Sequence, residues 1–406
     1  MIYKLKQDLA HTLTVVTTGA LFSFCASYSN LSTAQSLDDA VQTQLATGTG
    51  GLACRVLFAG GGNPTGNLLE ICERTTPLGA EPGSSGGASA TPASLPFEQT
   101  AGDDTRARET SEIQLDSNWS LFFTLENGSI DRSQSSLEGP YDSTIQRLIA
   151  GTTYRVNSQL SISGLIDTST IEGDFENGGN FKDESTGVNF MTSYQYNDQI
   201  SGQISAFYQK MSSERERIAS FGDTYNGFQL PTWDGTPDAD FSPDKFGLAG
   251  NIDYDFTYKR FSIMPQIGIE WFKTDFGTYS ETDDLDSGLQ LTFHDDVMES
   301  FQTKVGVTTS YPINTSKGVF IPQVSLDWRH EFEHEGRFVA VSFVEDLNST
   351  KFTYKSNDLD ANFFDVNVGG VFVFPHGYQG FFNIQTLVSN TLYDSLIFSA
   401  GLRMEL

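Results

Sequence analysis

Histidine and carboxylate side chains are the groups in this chain whose spacing could support acid–base chemistry. His294 is followed directly by Asp295 and Asp296, and the other histidines beyond residue 34 are His330, His334 and His376. A general base must lie within hydrogen-bond reach of its partner in space, which adjacency along the chain does not establish. We therefore predict no catalytic residue, and keep a hydrolase that depends on His294 as an alternative.

A zinc site is a second chemistry that the histidines could support. His330 and His334 alternate with Glu331, Glu333 and Glu335, and imidazole and carboxylate are both zinc ligands. The pair also falls at the end of a predicted strand, where histidines serve as interfacial polar groups. We predict no metal and no cofactor, with weak zinc binding as the alternative.

Cysteine is the third candidate. Cys54 and Cys72 lie on either side of a glycine-rich stretch, and an exported protein with two cysteines usually forms a disulfide. We predict a disulfide that joins two short helices within residues 35–76, with two free thiols as the alternative. A Gly/Ser/Pro-rich and then charged linker follows at 77–118.

The N-terminus predicts export. Lys4 and Lys6 precede an apolar stretch, and Ser32-Thr33-Ala34 forms a small-x-small cleavage site, so residues 1–34 read as a signal peptide that is removed before Gln35.

From residue 119 onward, apolar and polar side chains alternate. Leu396, Phe398, Ala400 and Leu402 share one face, while Ser399 and Arg403 lie on the other. This period of two predicts strands, and runs of about 10 residues suit a transmembrane barrel. The predicted strands span residues 119–127, 144–155, 158–167, 186–196, 199–209, 245–258, 260–272, 299–312, 317–330, 361–374, 378–388 and 395–406.

The predicted connections are alternately long and short. Tight turns fall at 156–157, 197–198, 259, 313–316 and 375–377, and long acidic connections at 128–143, 168–185, 210–244, 273–298 and 331–360. Long outer loops and short inner turns are typical of an antiparallel transmembrane barrel of about 12 strands. Its aromatic girdles would account for 32 Phe and 15 Tyr. A soluble β-sandwich is the alternative fold.

Nine charged residues fall on the polar face of the predicted strands, which would line the barrel lumen. Two functional readings are equally open, a pore with a transverse field and a network of ion pairs that fills the lumen. The nine are Glu126, Arg147, Asp253, Asp255, Glu270, Lys304, Asp327, Arg329 and Arg403.

The net charge of −28 excludes a nucleic-acid partner. Acidic residues crowd the predicted outer loops, for example Asp275, Glu281 and Asp283. Carboxylates could bind divalent cations at the cell surface, but their spacing matches no calcium loop, so we expect solvated loops.

The region from Trp119 to Leu406 resembles the translocator β-domain of autotransporters. Ser399 to Leu406 is similar to the insertion signal of outer-membrane barrels, with Gly401, Met404 and Leu406 at the signal positions and Leu in place of the usual final Phe. The resemblance implies an all-β barrel over 119–406 in the bacterial outer membrane that holds or passes residues 35–118 without ATP.

The same resemblance implies the partners of the protein. They are outer-membrane lipid and lipopolysaccharide, the barrel-assembly machinery and periplasmic chaperones, and we expect a monomer. A small channel or a surface-structural barrel without secretion remains the alternative function, and a hydrolase a third.

Overall fold

The computed structural model describes Thr65 and residues 118–405, except 136–138, 177, 198, 222–223, 226–227, 230–232, 286 and 375–377. The predicted signal peptide, the two-cysteine segment apart from Thr65, and the linker apart from residue 118 lie outside the described residues, so the structure does not test the predicted disulfide of Cys54 and Cys72. All regular elements in the described part are strands.

Twelve long strands form the barrel. They are β1 (Trp119–Arg132), β2 (Tyr141–Arg155), β3 (Leu160–Phe175), β4 (Gly179–Gln195), β5 (Ile200–Arg217), β11 (Asp244–Tyr254), β13 (Phe261–Ser280), β14 (Leu291–Ser310), β16 (Gly318–Glu331), β19 (Asn362–Val373), β20 (Tyr378–Val388) and β21 (Tyr393–Glu405). The short strands are β6 (Ala219–Phe221), β7 (Thr224–Tyr225), β8 (Phe228–Gln229), β9 (Trp233–Gly235), β10 (Asp238–Phe241), β12 (Phe256–Tyr258), β15 (Ile313–Thr315), β17 (Phe338–Phe343) and β18 (Phe352–Lys355).

Each long strand pairs antiparallel with its neighbours along the chain. β1 pairs with β2 on one side and with β21 on the other, from Ser120 opposite Glu405 to Arg132 opposite Tyr393. The sheet is therefore closed, with no free edge among the twelve strands. The prediction of a twelve-stranded antiparallel barrel is confirmed.

Outward side chains form an exposed apolar band around the barrel. Ile166, Phe190 and Ile204 are 60%, 65% and 70% exposed, while the residues beside them in the chain are buried. Exposure of this kind along every strand suits lipid. Separately, the described residues contain no helix long and apolar enough to span a bilayer.

One end of the barrel, the short-turn end, carries tight connections. Asn157 and Asn197 build the same turn, since the Oδ1 atom of each accepts hydrogen bonds from the two backbone amides that begin the next strand, at 2.8–2.9 Å. Asparagine favours such turns because its side chain replaces a backbone acceptor. Lys259 completes a third turn with a φ of 60°.

At the opposite end, the long-loop end, the strands run further than predicted. The prediction that residues 168–185 form a long connection is wrong, because β3 continues to Phe175 and β4 begins at Gly179. Parts of the other predicted loops are strands as well, including the outer halves of β13 and β14.

The alternation inverts in these outer strand extensions. Ile171, Phe175 and Phe181 are buried, whereas Glu172 and Asp174 between them are exposed. An apolar inner face and a charged outer face are what strands need once they leave lipid and enter water. The inversion marks the outer limit of the apolar band.

Candidate functional site

The nine predicted lumen charges lie on the face opposite the apolar band. Seven of them are buried as whole residues, while Asp255 and Glu126 are half-buried, although the side chain of Glu126 is only 8% exposed. Charges buried in this way are normally paired and hydrogen-bonded. The structure places four of the nine, Glu126, Arg147, Glu270 and Arg329, in two clusters.

Arg147 is the centre of the first cluster. It lies directly opposite Glu126 in the β1–β2 register, and its guanidinium contacts Glu126 Oε2 at 3.4 Å and Asp167 Oδ2 at 2.9 Å. All three side chains are at most 8% exposed. One cation therefore bridges two carboxylates on three adjacent strands.

Arg329 is the centre of the second cluster. Its Nε donates to Asp365 Oδ2, and its Nη1 lies 3.4 Å from Glu270 Oε2 and 3.1 Å from Gln302 Oε1. Arg329 is 1% exposed. The cluster ties four strands together across the lumen wall.

A family model for the autotransporter beta-domain matches residues 112–385. The chain belongs to the autotransporter beta-domain family. Membership implies a barrel in the outer membrane and a place in type V secretion. Because barrels of this kind have short periplasmic turns and longer outer loops, we expect the short-turn end to face the periplasm.

Two solved β-domains are similar in fold. The translocator domain of the autotransporter NalP from Neisseria meningitidis superposes with a TM-score of 0.53 at 10% identity, over 72% of this chain and 90% of that one. The beta domain of the Bordetella autotransporter BrkA gives 0.51 at 12% identity, over 71% and 100%. No curated protein matches the sequence.

Two further arginine pairs line this β-domain in its outer half. Arg215 contacts both carboxylate oxygens of Asp183, at 2.7 and 2.8 Å. Arg217 binds Glu281 through two hydrogen bonds of 2.8 and 2.9 Å, and its Nη2 also donates to Leu289 O at 2.7 Å. The Arg217 pair is bidentate, with two parallel N–H···O bonds, and such pairs are among the strongest charge-assisted hydrogen bonds, whereas Arg215 reaches both oxygens through Nη2 alone.

The sequence reasoning missed these four residues because it placed them in loops. Glu281 in particular was expected to be a solvated acidic loop residue, and this is wrong, since Glu281 is 5% exposed. Counting the alternation onward from the predicted strands would have put Asp183 and Arg215 on the inner face.

The lumen changes character along its length. An apolar cluster occupies its outer half, formed by inward side chains of β1–β4 and β19–β21 such as Tyr141, Phe181 and Phe363. Uncharged polar pairs face inward beyond it, Asn367–Asn383 at mid-strand at 3.1 Å and Thr153–Ser163 nearer the short-turn end at 2.8 Å, and a small apolar cluster of Ile321, Val371 and Val373 lies towards that end as well. The charged clusters lie between the outer apolar cluster and these polar pairs.

A strap formed by residues 356–360 lies at the outer mouth. Asn357 Nδ2 donates to Ser135 Oγ in the β1–β2 loop, and Asp360 accepts hydrogen bonds from Thr391 in the β20–β21 turn. Leu359 packs on the cluster that includes Phe241 and Phe272. The strap therefore joins loops from several sides of the mouth.

Asp358 holds the strap to the β16–β17 loop. The backbone amide of Gly336 donates to its Oδ1 at 2.8 Å, and Lys355 Nζ lies 2.9 Å from the same atom. These hydrogen bonds, first that of Gly336, lower the pKa of Asp358 below its usual value.

The candidate catalytic histidine is placed unfavourably for catalysis. His294 Nε2 lies 3.0 Å from Ser342 Oγ, a pair that resembles a nucleophile and its base. Ser342 is only 1% exposed, however, so its hydroxyl is shielded from solvent. Neither Asp295 nor Asp296 completes a relay, because Asp295 accepts from Thr278 and Asp296 pairs with Arg337.

Of the other candidate histidines, His376 lies outside the described residues. His330 Nδ1 is 3.0 Å from Asn362 Oδ1, beside the ring of Phe332. Among the described residues no group of three or more histidine, cysteine or acidic side chains is placed to hold a metal ion.

In the 281–290 loop partial burial alone would raise the pKa of Asp283, but hydrogen bonds from Ser287, Leu285 and Thr236 outweigh it and lower the pKa.

The predicted insertion signal is described in part. Gly401 lies in β21 on the inner face and Met404 is half-buried, while Leu406 lies outside the described residues. Arg403 is buried and donates to Ser120 Oγ at 3.0 Å, which links the last barrel strand to the first.

Proposed function

We propose that this β-domain is a translocator that carries its own N-terminal segment to the outer face and holds it there. The observation that carries the proposal is a contact of Thr65. Its backbone N and its Oγ1 both donate to Glu345 O, each at 2.9 Å. Glu345 follows β17, and the preceding Val344 amide donates to Gln290 O at 3.0 Å, so the contact lies at the long-loop end.

The two ends of the connecting chain therefore lie at opposite ends of the barrel. Thr65 is at the long-loop end, and β1 begins with Trp119 at the short-turn end. The strand β1 alone, with about 3.3 Å per residue and a tilt of about 40°, separates its ends by about 35 Å. Residues 66–118 must cover at least this distance.

For the connection between Thr65 and Trp119, a path through the lumen has the lowest energetic cost. A path along the outer wall would bring unpaired backbone groups and the charged residues of the linker into lipid, where each unsatisfied group costs several kcal/mol. Twelve strands about 4.8 Å apart and tilted by about 40° enclose a space about 24 Å across between backbones. After the inward side chains are subtracted, one segment of polypeptide fits.

We propose a passive mechanism. Folding of the barrel and its insertion would supply the driving force without ATP, and the inner wall would guide the segment through its polar and charged zones. The burial of Arg147 and Arg329 supports a filled lumen more than an open channel. The burial of Ser342 supports a domain without hydrolytic activity.

A double-cysteine cross-link tests this function. In a background with Cys25, Cys54 and Cys72 replaced by serine, Thr65→Cys and Glu345→Cys should form a disulfide in cells, because the two backbones are hydrogen-bonded neighbours. The matched control pairs Thr65→Cys with Lys317→Cys at the short-turn end and should not cross-link. The reverse pattern would mean that the segment stays on the periplasmic side.

A further inference from the structure

Two adjacent hairpins project at the short-turn end. The short strand Phe256–Tyr258 pairs with residues 261–263 of β13, beyond the last β5 pairing at Tyr254. The short strand Ile313–Thr315 pairs with Gly318 to Phe320 in the same way. We call residues 256–261 and 313–318 the hairpin patch.

The hairpin patch carries exposed apolar side chains. Phe256, Tyr258 and Phe261 are 46%, 54% and 46% exposed. The ring centroids of Phe261 and Tyr311 lie 5.0 Å apart, which joins the two hairpins into one surface. This surface continues the apolar band, since Tyr254 on β11 is also exposed.

The same patch is cationic. Lys259, Arg260 and Lys317 at the two tips are all exposed, and Lys259 Nζ lies 5.2 Å from the centroid of the Tyr258 ring. The neighbouring carboxylate of Asp255 is half-buried and accepts a hydrogen bond from Ser262 Oγ at 3.2 Å. This positive end contrasts with the acidic residues of the long-loop end and with the net charge of −28.

We infer that the hairpin patch binds the head groups of anionic phospholipids. Aromatic side chains position themselves at the membrane interface, and lysine and arginine extend from there to the phosphate level. Because the patch is continuous with the apolar band, its cations lie at the level of the lipid head groups. A soluble acidic protein could contact the aromatic rings of the patch only by displacing lipid.

Each cation near an anionic membrane surface strengthens binding by about fivefold. Replacing all three should therefore reduce the preference for anionic lipid by about 100-fold.

Photo-cross-linking tests the inference directly. The full chain is assembled in phosphatidylcholine vesicles that contain a small fraction of photoactivatable phosphatidylglycerol or, in parallel, photoactivatable phosphatidylcholine. Labelled peptides are then identified by mass spectrometry. The variant carries Lys259→Gln, Arg260→Gln and Lys317→Gln. The matched control carries Lys182→Gln, Lys210→Gln and Lys351→Gln, which remove the same charge from the outer half.

The inference predicts that phosphatidylglycerol labels residues 256–261 and 313–318 far more than phosphatidylcholine does, and that the hairpin variant abolishes this preference while the control keeps it. Equal labelling by both lipids would overturn recognition by charge. Absence of label on the patch would overturn the site and would favour a soluble acidic partner. Heat-dependent gel mobility of both variants verifies that their barrels have assembled.

Discussion

Replacing Arg147 by glutamine should destabilise the barrel by about 3 to 5 kcal/mol, the usual cost of leaving buried charges without their partner. The Arg147 guanidinium lies 2.9 Å from Asp167 and 3.4 Å from Glu126, and these carboxylates are 0% and 8% exposed. Without the cation, two carboxylates share one buried site. With a urea m-value of about 2 kcal/mol per M, the unfolding midpoint should fall by about 1.5 to 2.5 M.

The assay is urea unfolding of the detergent-refolded barrel, followed by tryptophan fluorescence and gel mobility. Lys182→Gln is the matched control, because Lys182 lies 2.7 Å from Glu184 but the two side chains are 38% and 56% exposed, and it should leave the midpoint unchanged. Asp167→Asn in the Arg147→Gln background should recover part of the loss. If Arg147→Gln shifts the midpoint no more than Lys182→Gln, the lumen cluster is as well solvated as the surface and the reasoning from burial fails.

Three further predictions concern packing and the strap. Gly401→Val should reduce the amount of heat-modifiable barrel in the outer membrane, because a Cβ at Gly401 would overlap the Phe381 ring, whereas Gly164→Ala, with its nearest side-chain atom at 3.8 Å, should assemble normally; equal assembly would contradict the packing argument. In the unsubstituted protein the Gly336 amide resonance should titrate with Asp358 at a pH below 3.8, the usual pKa of the carboxyl group, because the pKa of Asp358 is lowered in the folded state. The stability that this group contributes is then present above the usual pKa and is lost as the pH falls through the folded-state pKa. Asp358→Asn should abolish the titration, and a titration centred above pH 3.8 would contradict the direction of the pKa shift. Asn357→Ala with Asp360→Ala should raise single-channel conductance in planar bilayers because both residues anchor the strap across the mouth, whereas Glu333→Ala should not; unchanged conductance would mean that the strap does not limit the opening.

Much of the barrel follows from local alternation. All twelve strands could be predicted, because lipid on one side and a polar lumen on the other impose a period of two. The turn built by Asn197 could be recognised because asparagine favours such turns. The outer strand extensions could not be recognised from the period of two. Around Ile171 and Phe181 the apolar side chains point inward and the charged side chains point outward. A prediction that expects apolar side chains on the outward face therefore assigns these segments to acidic loops.

The central arginines of the candidate site were also predictable from the period of two. Arg147 and Arg329 fall in regular strands, where counting by two places them on the inner face. Their full set of partners depends on barrel register, because Asp167 and Asp365 reach them from neighbouring strands. The strap depends on contacts between loops distant in sequence, such as Asn357 with Ser135, which no local pattern specifies. The predicted Cys54–Cys72 disulfide stays a prediction.

The central claim is that the N-terminal segment reaches the outer face. It is tested most directly by labelling whole cells with a membrane-impermeant maleimide, using single-cysteine variants in the background without native cysteines. Thr65→Cys should label on intact cells, as Asn348→Cys in the outer loop does, while Lys317→Cys at the short-turn end should label only after the outer membrane is permeabilised. If Thr65→Cys also requires permeabilisation, the segment has not crossed and the account of this barrel as a translocator is contradicted.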